Sequence, residues 1–580
     1  MPDPASIDRP WIAAYPPGVP PSYDYPAVPL GRFLDDAARD FPDHTATWFR
    51  GATLSWREVR DRVDRLAGAL WDLGVDHGDR VAVVLPNLPA HPIATFAVLR
   101  LGAVVVQANP LLTEDELTRQ LDDAGCRVAI GLTTHVDKLN AVRDAVAPLE
   151  HLIVSSVGDW LPVLGRLLYP LVGRRRGPYR KLRDSDGALA FEELLESTPP
   201  IVDPPQLSPD DVALLQYTGG TTGEPRGVVL THANLVANAF QARLWLPDIR
   251  AGHERILAAL PFFHVYGLTL GMLTGVLSAA TLVLQARWDA AEALELIDRT
   301  RPTIFPGVPV MYEALAENDD VGKHDISSIR ACVSGAAPLP RAVAERFERL
   351  TNGARLREGY GLSECSPLTH ANPIYGRSKP GTIGLPVTDT VAIVVDPDDP
   401  TREVAHGETG ELAIHGPQVM AGYWNRPDET ADAIVDGWLL TGDLGVRDEE
   451  GFFTIVDRKK DVVVLPSGHN VYPGEVEAVL LQHPGVAEAM VVGAPTPDGE
   501  AVHAFLVMRP TFEVPDEELV AHCRQHLVGY KVPSRIERRD ELPSTAVGKP
   551  LRRELRPEPR DAEPAEDGDL DPERDQRRVG

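Results

Sequence analysis

Residues 217–230 read YTGGTTGEPRGVVL. An apolar run, DVALLQ, leads directly into Gly219, Gly220, Gly223 and Gly227, with hydroxyls on Thr218, Thr221 and Thr222 and a cation at Arg226. Glycines let a backbone curl so that several N–H groups face one anion. The threonines add donors and the guanidinium adds charge. Such a loop suits the phosphates of a nucleotide. It is not a Walker A loop, because the Gly-Lys-Ser/Thr ending is missing, and it does not read Gly-x-Gly-x-x-Gly. Glycines and threonines this dense, placed after a buried strand, are not those of a merely flexible connection.

The elements that must hold this loop follow a regular pattern. Short apolar runs at 80–86 (RVAVVLP), 103–107, 127–130 and 151–155 read as buried strands, with an amphipathic helix at 56–73. Strands alternating with helices predict parallel sheets covered on both faces. The pattern continues through 211–217, 255–260, 281–285 and 330–334. Beyond about residue 382 the runs are shorter and richer in β-formers (VAIVV, GELAIHG, GFFTIVDR), as in antiparallel ribbons. From about residue 460 the order is β-α-β-β over 461–465, 475–481, 487–492 and 501–508, then a helix at 516–526. The predicted fold is α/β. An N-terminal extension (1–29) precedes a large domain of layered α/β sheets with a β-rich subdomain (30–459), followed by a small α+β C-terminal domain (460–555). Residues 556–580 are dense in Asp, Glu, Pro and Arg and nearly lack apolar side chains. They cannot bury enough surface to offset ordering entropy and read as a disordered acidic tail.

Composition narrows the partners. The 580 residues are 43% hydrophobic and 24% charged, as in a globular protein with a large core. Lys and Arg number 57 against 85 Asp and Glu, a net charge of −28 that repels phosphate backbones and argues against nucleic-acid binding. Cys126, Cys332, Cys365 and Cys523 are far apart and form no Cys-x-x-Cys pair. That excludes a disulfide framework and a cysteine zinc site, and it fits a reducing compartment. Residues 1–20 show no apolar core of a secretory signal, and no run reaches the ~18 apolar residues of a membrane span. A cytoplasmic location is the expectation. One stretch stands apart: 160–177 reads WLPVLGRLLYPLVGRRRG. Basic residues beside an aromatic-apolar stripe can seat a helix in a membrane interface, which would give weak peripheral contact at the inner membrane face through 160–176. Pro162 and Pro170 favour a surface hairpin packed on its own domain.

The glycine-threonine loop resembles the phosphate-binding motif of the adenylate-forming superfamily, which includes acyl-CoA synthetases, luciferases and peptide-synthetase adenylation domains. Further motifs follow in that superfamily's order. Residues 261–267 (PFFHVYG) resemble its aromatic-His segment, 334–339 (SGAAPL) its adenine-side strand-turn, and 359–364 (GYGLSE) its Tyr-Gly-x-Thr-Glu motif. Residues 410–414 (GELAI), 419–423 (VMAGY), 441–443 (TGD), 457–461 (DRKKD) and 543–549, ending Gly548-Lys549, complete the set over about 30–555. Arg226 stands where Lys is usual and keeps the charge with a forked donor. Ser363 replaces Thr and keeps the hydroxyl.

The resemblance implies a two-step reaction. A carboxylate attacks the α-phosphate of ATP to give an acyl-adenylate and pyrophosphate; a thiol then takes the acyl group and AMP leaves. At ~4 Å and an effective dielectric of ~20, two like unit charges repel by about 4 kcal/mol, so the first step needs a cation. By resemblance that cation is Lys549. Glu364 would hold Mg²⁺ through a hard oxygen, and Ser363 would reach the α-phosphate. Asp443 would accept from the ribose hydroxyls, and Arg458 would add to ribose or phosphate binding. Tyr360 would stack on adenine, with Gly335, Ala336 and Gly359 forming a thin slot and Gly361 beside them. His264 would border the acyl carboxylate and the thiol passage, with Tyr266 and Gly468 lining that passage. The C-terminal domain is expected to be mobile, with Lys460 at its hinge. Cys365, beside Glu364, reads as a packing residue.

Residues 305–312 (FPGVPVMY), 360–367 (YGLSECSP) and 471–477 (VYPGEVE) look most like fatty-acyl-CoA synthetases of medium to long chain preference, with Val308 and Met311 leaving room for a chain. The implied activity is that of an ATP-dependent, AMP-forming fatty-acid–CoA ligase with CoA as co-substrate. An aryl- or other carboxylate–CoA ligase, and an acyl-adenylating enzyme that loads a carrier protein, are the alternatives.

Overall fold

A computed structural model describes residues 1–176, 180–219, 225–467, 469–496, 499–510, 512, 514–544 and 551–556. Gly220, Thr221, Thr222, Gly223, Gly468, Lys549 and positions 557–580 of the tail lie outside the described residues. The chain forms two units: residues 1–441 with 445–455, and residues 442–444 with 456 onward.

The first unit is α/β, built on two large sheets and a smaller β-rich one. In the eight-stranded sheet Val212–Gly219 lies between Val104–Gln107, to which it is parallel, and Pro225–Thr231, to which it is antiparallel. Arg80–Val83, Cys126–Leu132 and His151–Ser155 extend the parallel run. The strand at 80 ends at Val83, before the sequence pattern does, although Val84 N–H still donates to the Ile130 carbonyl at 2.8 Å. Val104–Gln107 is buried at every position, as a strand covered on both faces must be. The covering helices start where the sequence offers caps. Trp56–Asp72 begins with a reciprocal Ser55/Glu58 capping box and Glu114–Ala124 with Thr113/Glu116.

The nine-stranded sheet places Arg355–Gly361, Ala331–Ser334, Ile304–Gly307 and Arg255–Ala258 side by side and parallel, with Leu368–Ala371 antiparallel to Arg355–Gly361. The β-rich sheet pairs Val391–Val395 with Gly410–His415. The N-terminal residues pack on this unit: Trp11 is buried and meets Phe453 edge-on, and Trp438 Nε1 donates to the Pro2 carbonyl at 2.9 Å.

Val163–Arg176 forms a helix despite Pro170. Its start is exposed at Val163 (80%), Leu164 (69%) and Leu167 (70%). Among the described residues no helix is long and apolar enough to cross a membrane.

The second unit is small and α+β. Val486–Thr496, Gly499–Met508 and Arg535–Arg538 form its main sheet, with Pro473–Leu480 and Asp516–His526 as helices. The sequence pattern anticipates these except Arg535–Arg538, a four-residue strand whose charged ends give no apolar alternation. Its core includes Val476, Val491, Val502, Leu506 and Leu519.

Candidate functional site

Register on the eight-stranded sheet puts Thr218 opposite Arg226 and Tyr217 opposite Gly227, at the two feet of the glycine-threonine loop. The feet are held firmly. Tyr217 donates to Asp123 at 2.7 Å, and Trp424 donates from its backbone N–H to the Gly227 carbonyl at 2.7 Å. A side chain at Gly227 would press on Trp424 and the Tyr217 ring, so only glycine lets these two aromatics close around the strand.

Arg226 is directed by an ion pair with Glu429 (2.7 Å) and lies 5.6 Å from the centroid of the Tyr423 ring. The same tyrosine donates its phenolic hydrogen to Glu364 at 2.9 Å. Burial, and then the Glu364 charge, push the Tyr423 phenol well above its usual range, so it stays a donor. Glu364 sits on the turn Ser363–Cys365, whose backbone is tied by Met420 N–H donating to the Glu364 carbonyl at 2.8 Å. Cys365 is fully buried, and burial raises its thiol far above the reactive range, which suits packing rather than nucleophilic attack.

The adenine-side candidates lie on adjacent parallel strands. Gly335 N–H donates to the Gly307 carbonyl at 3.2 Å, and a side chain there would meet the Tyr266 ring. A Cβ on Gly359 would run into Val333, and one on Gly361 into the Pro367 backbone. Ala336 takes a left-handed φ of 68° at the turn. Tyr266 is fixed from below, donating to the Val333 carbonyl at 2.7 Å. Tyr360 is half-buried and packs edge-on to His370. Glu358, between Arg357 and Gly359, was not singled out by motif. Burial pushes its carboxyl up to about 7, with the Leu339 N–H donating to it at 3.1 Å.

His264 belongs to a loop pinned from two sides. Asn87 accepts from Phe262 N–H at 2.9 Å, and Gln216 Nε2 donates to the Phe263 carbonyl at 3.1 Å. Gln216 is two residues before Thr218, so the aromatic-His loop and the strand that leads into the glycine-threonine loop are fastened together. No sequence motif marks Asn87 or Gln216 for that task.

An apolar cavity lies against the strands that carry the adenine-side turn. Leu270, Pro306, Val333, Leu368 and Trp245 are among its walls. Thr274 also lines it, and its hydroxyl donates to the Thr269 carbonyl at 2.8 Å. No charged side chain lines it. Val308 and Met311 are buried near the start of the following helix, outside this lining.

In the second unit Arg458 ion-pairs with Asp443 at 2.9 Å, and Asp443 is almost wholly buried. Lys460 lies on the turn Lys459–Asp461 that follows. Asp457 braces this turn by accepting from Gly474 N–H at 2.7 Å, and Arg552 reaches Asp461 at 3.5 Å.

Among the described residues no cluster of three or more His, Cys, Asp or Glu could hold a metal by itself. A single oriented carboxylate, Glu364, fits Mg²⁺, which commonly binds through one or two carboxylates plus substrate phosphates and water.

Residues 34–424 match the family model described as AMP-binding enzyme, and 475–549 match that of the AMP-binding enzyme C-terminal domain. The chain is 43% identical over 554 residues to a long-chain-fatty-acid–CoA ligase of Bacillus subtilis (strain 168), spanning 94% of this chain and 97% of that protein. It is 41% identical over 561 residues to a long-chain-fatty-acid–CoA ligase of Escherichia coli O157:H7, spanning 95% and 98%. Among solved structures it is similar to ATP-bound MatB from Rhodopseudomonas palustris, with a TM-score of 0.80, 27% identity, and coverage of 92% and 98%.

Proposed function

This chain belongs to the AMP-binding enzyme family, and from that membership we propose that it is an ATP-dependent fatty-acid–CoA ligase, an AMP-forming acid–thiol ligase. The observation that carries the choice of acid is the 41–43% identity, over most of the chain, to long-chain-fatty-acid–CoA ligases. The apolar cavity behind the adenine-side strands, about 30 Å³ as it stands, would have to widen to take a chain, but its walls carry no charge, so a polar acid would lose hydration there without compensation, whereas a hydrocarbon chain gains roughly 0.8 kcal/mol per buried methylene.

The roles follow from the chemistry of each group. Thr218, Gly219 and Arg226 at the feet of the loop, with Gly220, Thr221, Thr222 and Gly223, bind the ATP phosphates. Gly335, Ala336, Gly359, Tyr360 and Gly361 receive adenine, Ser363 donates to the α-phosphate, and Asp443 with Arg458 takes the ribose. Glu364 holds Mg²⁺, which when bound neutralises charge on the phosphate oxygens. Lys549 offsets the repulsion between carboxylate and α-phosphate in the first step. His264 borders the acyl carboxylate; Tyr266, Val308, Met311 and Gly468 border the acyl and CoA passage. The C-terminal domain, 460–555, turns at Lys460 so that Lys549 serves the first step and yields to the thiol in the second; such a hinge needs only a residue that absorbs a large φ/ψ change.

The exposed apolar start of the helix at 163, with Arg166 and the basic run 174–176, supports peripheral contact with anionic lipid. The four free, buried thiols suit a reducing cytoplasm.

A pyrophosphate-release screen over carboxylic acids of graded length, with and without CoA, tests the assignment. Release with fatty acids, and AMP with acyl-CoA once CoA is present, is the expected result. Release confined to aryl or short polar acids would overturn it, and release followed by transfer only to a carrier protein would reassign the acceptor.

A further inference from the structure

The apolar cavity follows the strands that wall it. Ile304 and Pro306 lie two residues apart on one strand, and Ala331 and Val333 on the next, so each pair shares a face over ~7 Å. Leu368 pairs with Gly361 and Ala371 with Gly359 on the antiparallel strand. Pro306, Val333 and Leu368 therefore mark the end beside the adenine-side glycines. Ile304, Ala331 and Ile374 mark the opposite end.

Trp245 lies toward that opposite end, three residues before Asp248, which pairs with Arg330 beside Ala331. It follows the helix His232–Leu244, is buried, lines the cavity, and its indole N–H donates to the Asn372 carbonyl at 3.4 Å. Behind it the Tyr15 ring meets the indole edge-on, with centroids 5.1 Å apart and planes at 84°. Tyr15 is fixed in turn, donating to the Pro386 carbonyl at 2.6 Å. The N-terminal segment around it is tied down where Thr388 donates to the Pro20 carbonyl at 2.9 Å and Tyr23 N–H to Asp389 at 2.8 Å. Arg330, next to Ala331, pairs with Asp248 at 2.5 Å and Glu254 at 2.9 Å, and Tyr375, next to Ile374, donates to Asp248 at 2.7 Å. A polar layer thus seals the same end.

We propose that Trp245, braced by Tyr15, is the end wall of the acyl cavity and sets the longest chain the enzyme activates, so that the N-terminal segment 1–29 takes part in substrate selection. This rests on the reading of the cavity as the acyl site. The cavity measures about 30 Å³ without a ligand; when it widens for a chain entering beside Val333, the chain runs along the strands and stops on the indole. One methylene in an apolar pocket changes kcat/KM by roughly 10–200-fold, so a rigid wall gives a sharp cutoff.

The test compares kcat/KM for acyl-CoA formation across saturated fatty acids of graded length in the full-length wild type, Trp245→Ala, Tyr15→Ala and Ala242→Phe, a substitution that fills the same cavity. Trp245→Ala should favour longer acids by about tenfold or more in the long-to-short ratio, Tyr15→Ala should do so by less, and Ala242→Phe should favour shorter ones. A long-to-short ratio unchanged in Trp245→Ala and Ala242→Phe, whether or not overall activity falls, overturns the inference. If Trp245→Ala does not fold, Trp245→Leu and Ala242→Phe decide it on the same ratio. A wild type that activates no fatty acid at all would overturn the ligase reading instead.

Discussion

Tyr423 donates a 2.9 Å hydrogen bond to Glu364, the candidate metal-holding carboxylate, while its ring lies 5.6 Å from the guanidinium of Arg226 at the foot of the phosphate loop. One side chain thereby orients the carboxylate proposed to hold Mg²⁺ and flanks the guanidinium proposed to meet phosphate. The pairing spans 59 positions of sequence. Replacing Tyr423 by Phe keeps the ring near Arg226 and removes the hydroxyl, which donates to Glu364 and also meets Arg226. A hydrogen bond to a charged group is worth ~1.5–3 kcal/mol, so KM for Mg-ATP should rise about tenfold or more while the preferred acid is unchanged. Mg²⁺ titration of pyrophosphate release checks this; an unchanged Mg²⁺ dependence counts against the orienting role.

Lys549→Ala should separate the two steps. Loss of its charge leaves the carboxylate and α-phosphate to repel each other, which at ~4 kcal/mol corresponds to about a thousandfold slower adenylation. Conversion of supplied acyl-adenylate and CoA to thioester should persist. Equal loss of both steps would refute the assignment of Lys549 to the first one.

Glu358 predicts a pH signature in stability. Its carboxyl is raised from an ordinary 4.5 to about 7, chiefly by burial. The native state therefore binds more protons than the unfolded one between those values, and this contribution is lost as pH rises through that window. Glu358→Gln keeps an acceptor for Leu339 N–H and cannot ionise. It should unfold at a higher denaturant concentration than wild type at pH 8, by about 1–3 kcal/mol, with a smaller advantage at pH 5. A difference independent of pH would remove Glu358 as the source.

The helix at 163 predicts lipid contact that follows local rather than net charge. Leu164→Glu with Leu167→Glu should reduce co-flotation with anionic phospholipid vesicles severalfold and leave turnover of a water-soluble short-chain acid intact. Equal flotation of variant and wild type would assign that exposed face no role at membranes.

Much of the scaffold was legible in the residues themselves. The run 151–155 is a strand over those residues, and the β-rich character beyond 382 appears as Val391–Val395 paired with Gly410–His415. These segments carry their own periodicity and β-branched side chains, so local signals suffice. Glycines are legible for a different reason: Gly359 and Gly361 mark places where a Cβ would strike Val333 or the Pro367 backbone. What stayed hidden depends on contacts between distant segments. Asn87 pinning the loop before His264, Gln216 fastening that loop to the phosphate strand, and Tyr15 backing Trp245 have no pattern at short range. Each is an ordinary residue until folding brings its partner close. The N-terminal segment read as an extension because its prolines give no helix or strand period, yet Trp11 within it is buried in the main core.

Isotope transfer from the acid shows whether it is activated as an acyl-adenylate. A fatty acid labelled with ¹⁸O in its carboxylate is turned over with ATP, Mg²⁺ and CoA, and the nucleotide and phosphate products are weighed. Carboxylate attack on the α-phosphate followed by thiol attack on the acyl carbon leaves one labelled oxygen on AMP and none in pyrophosphate. Label in orthophosphate with ADP as the nucleotide product, or unlabelled AMP, would exclude an acyl-adenylate intermediate.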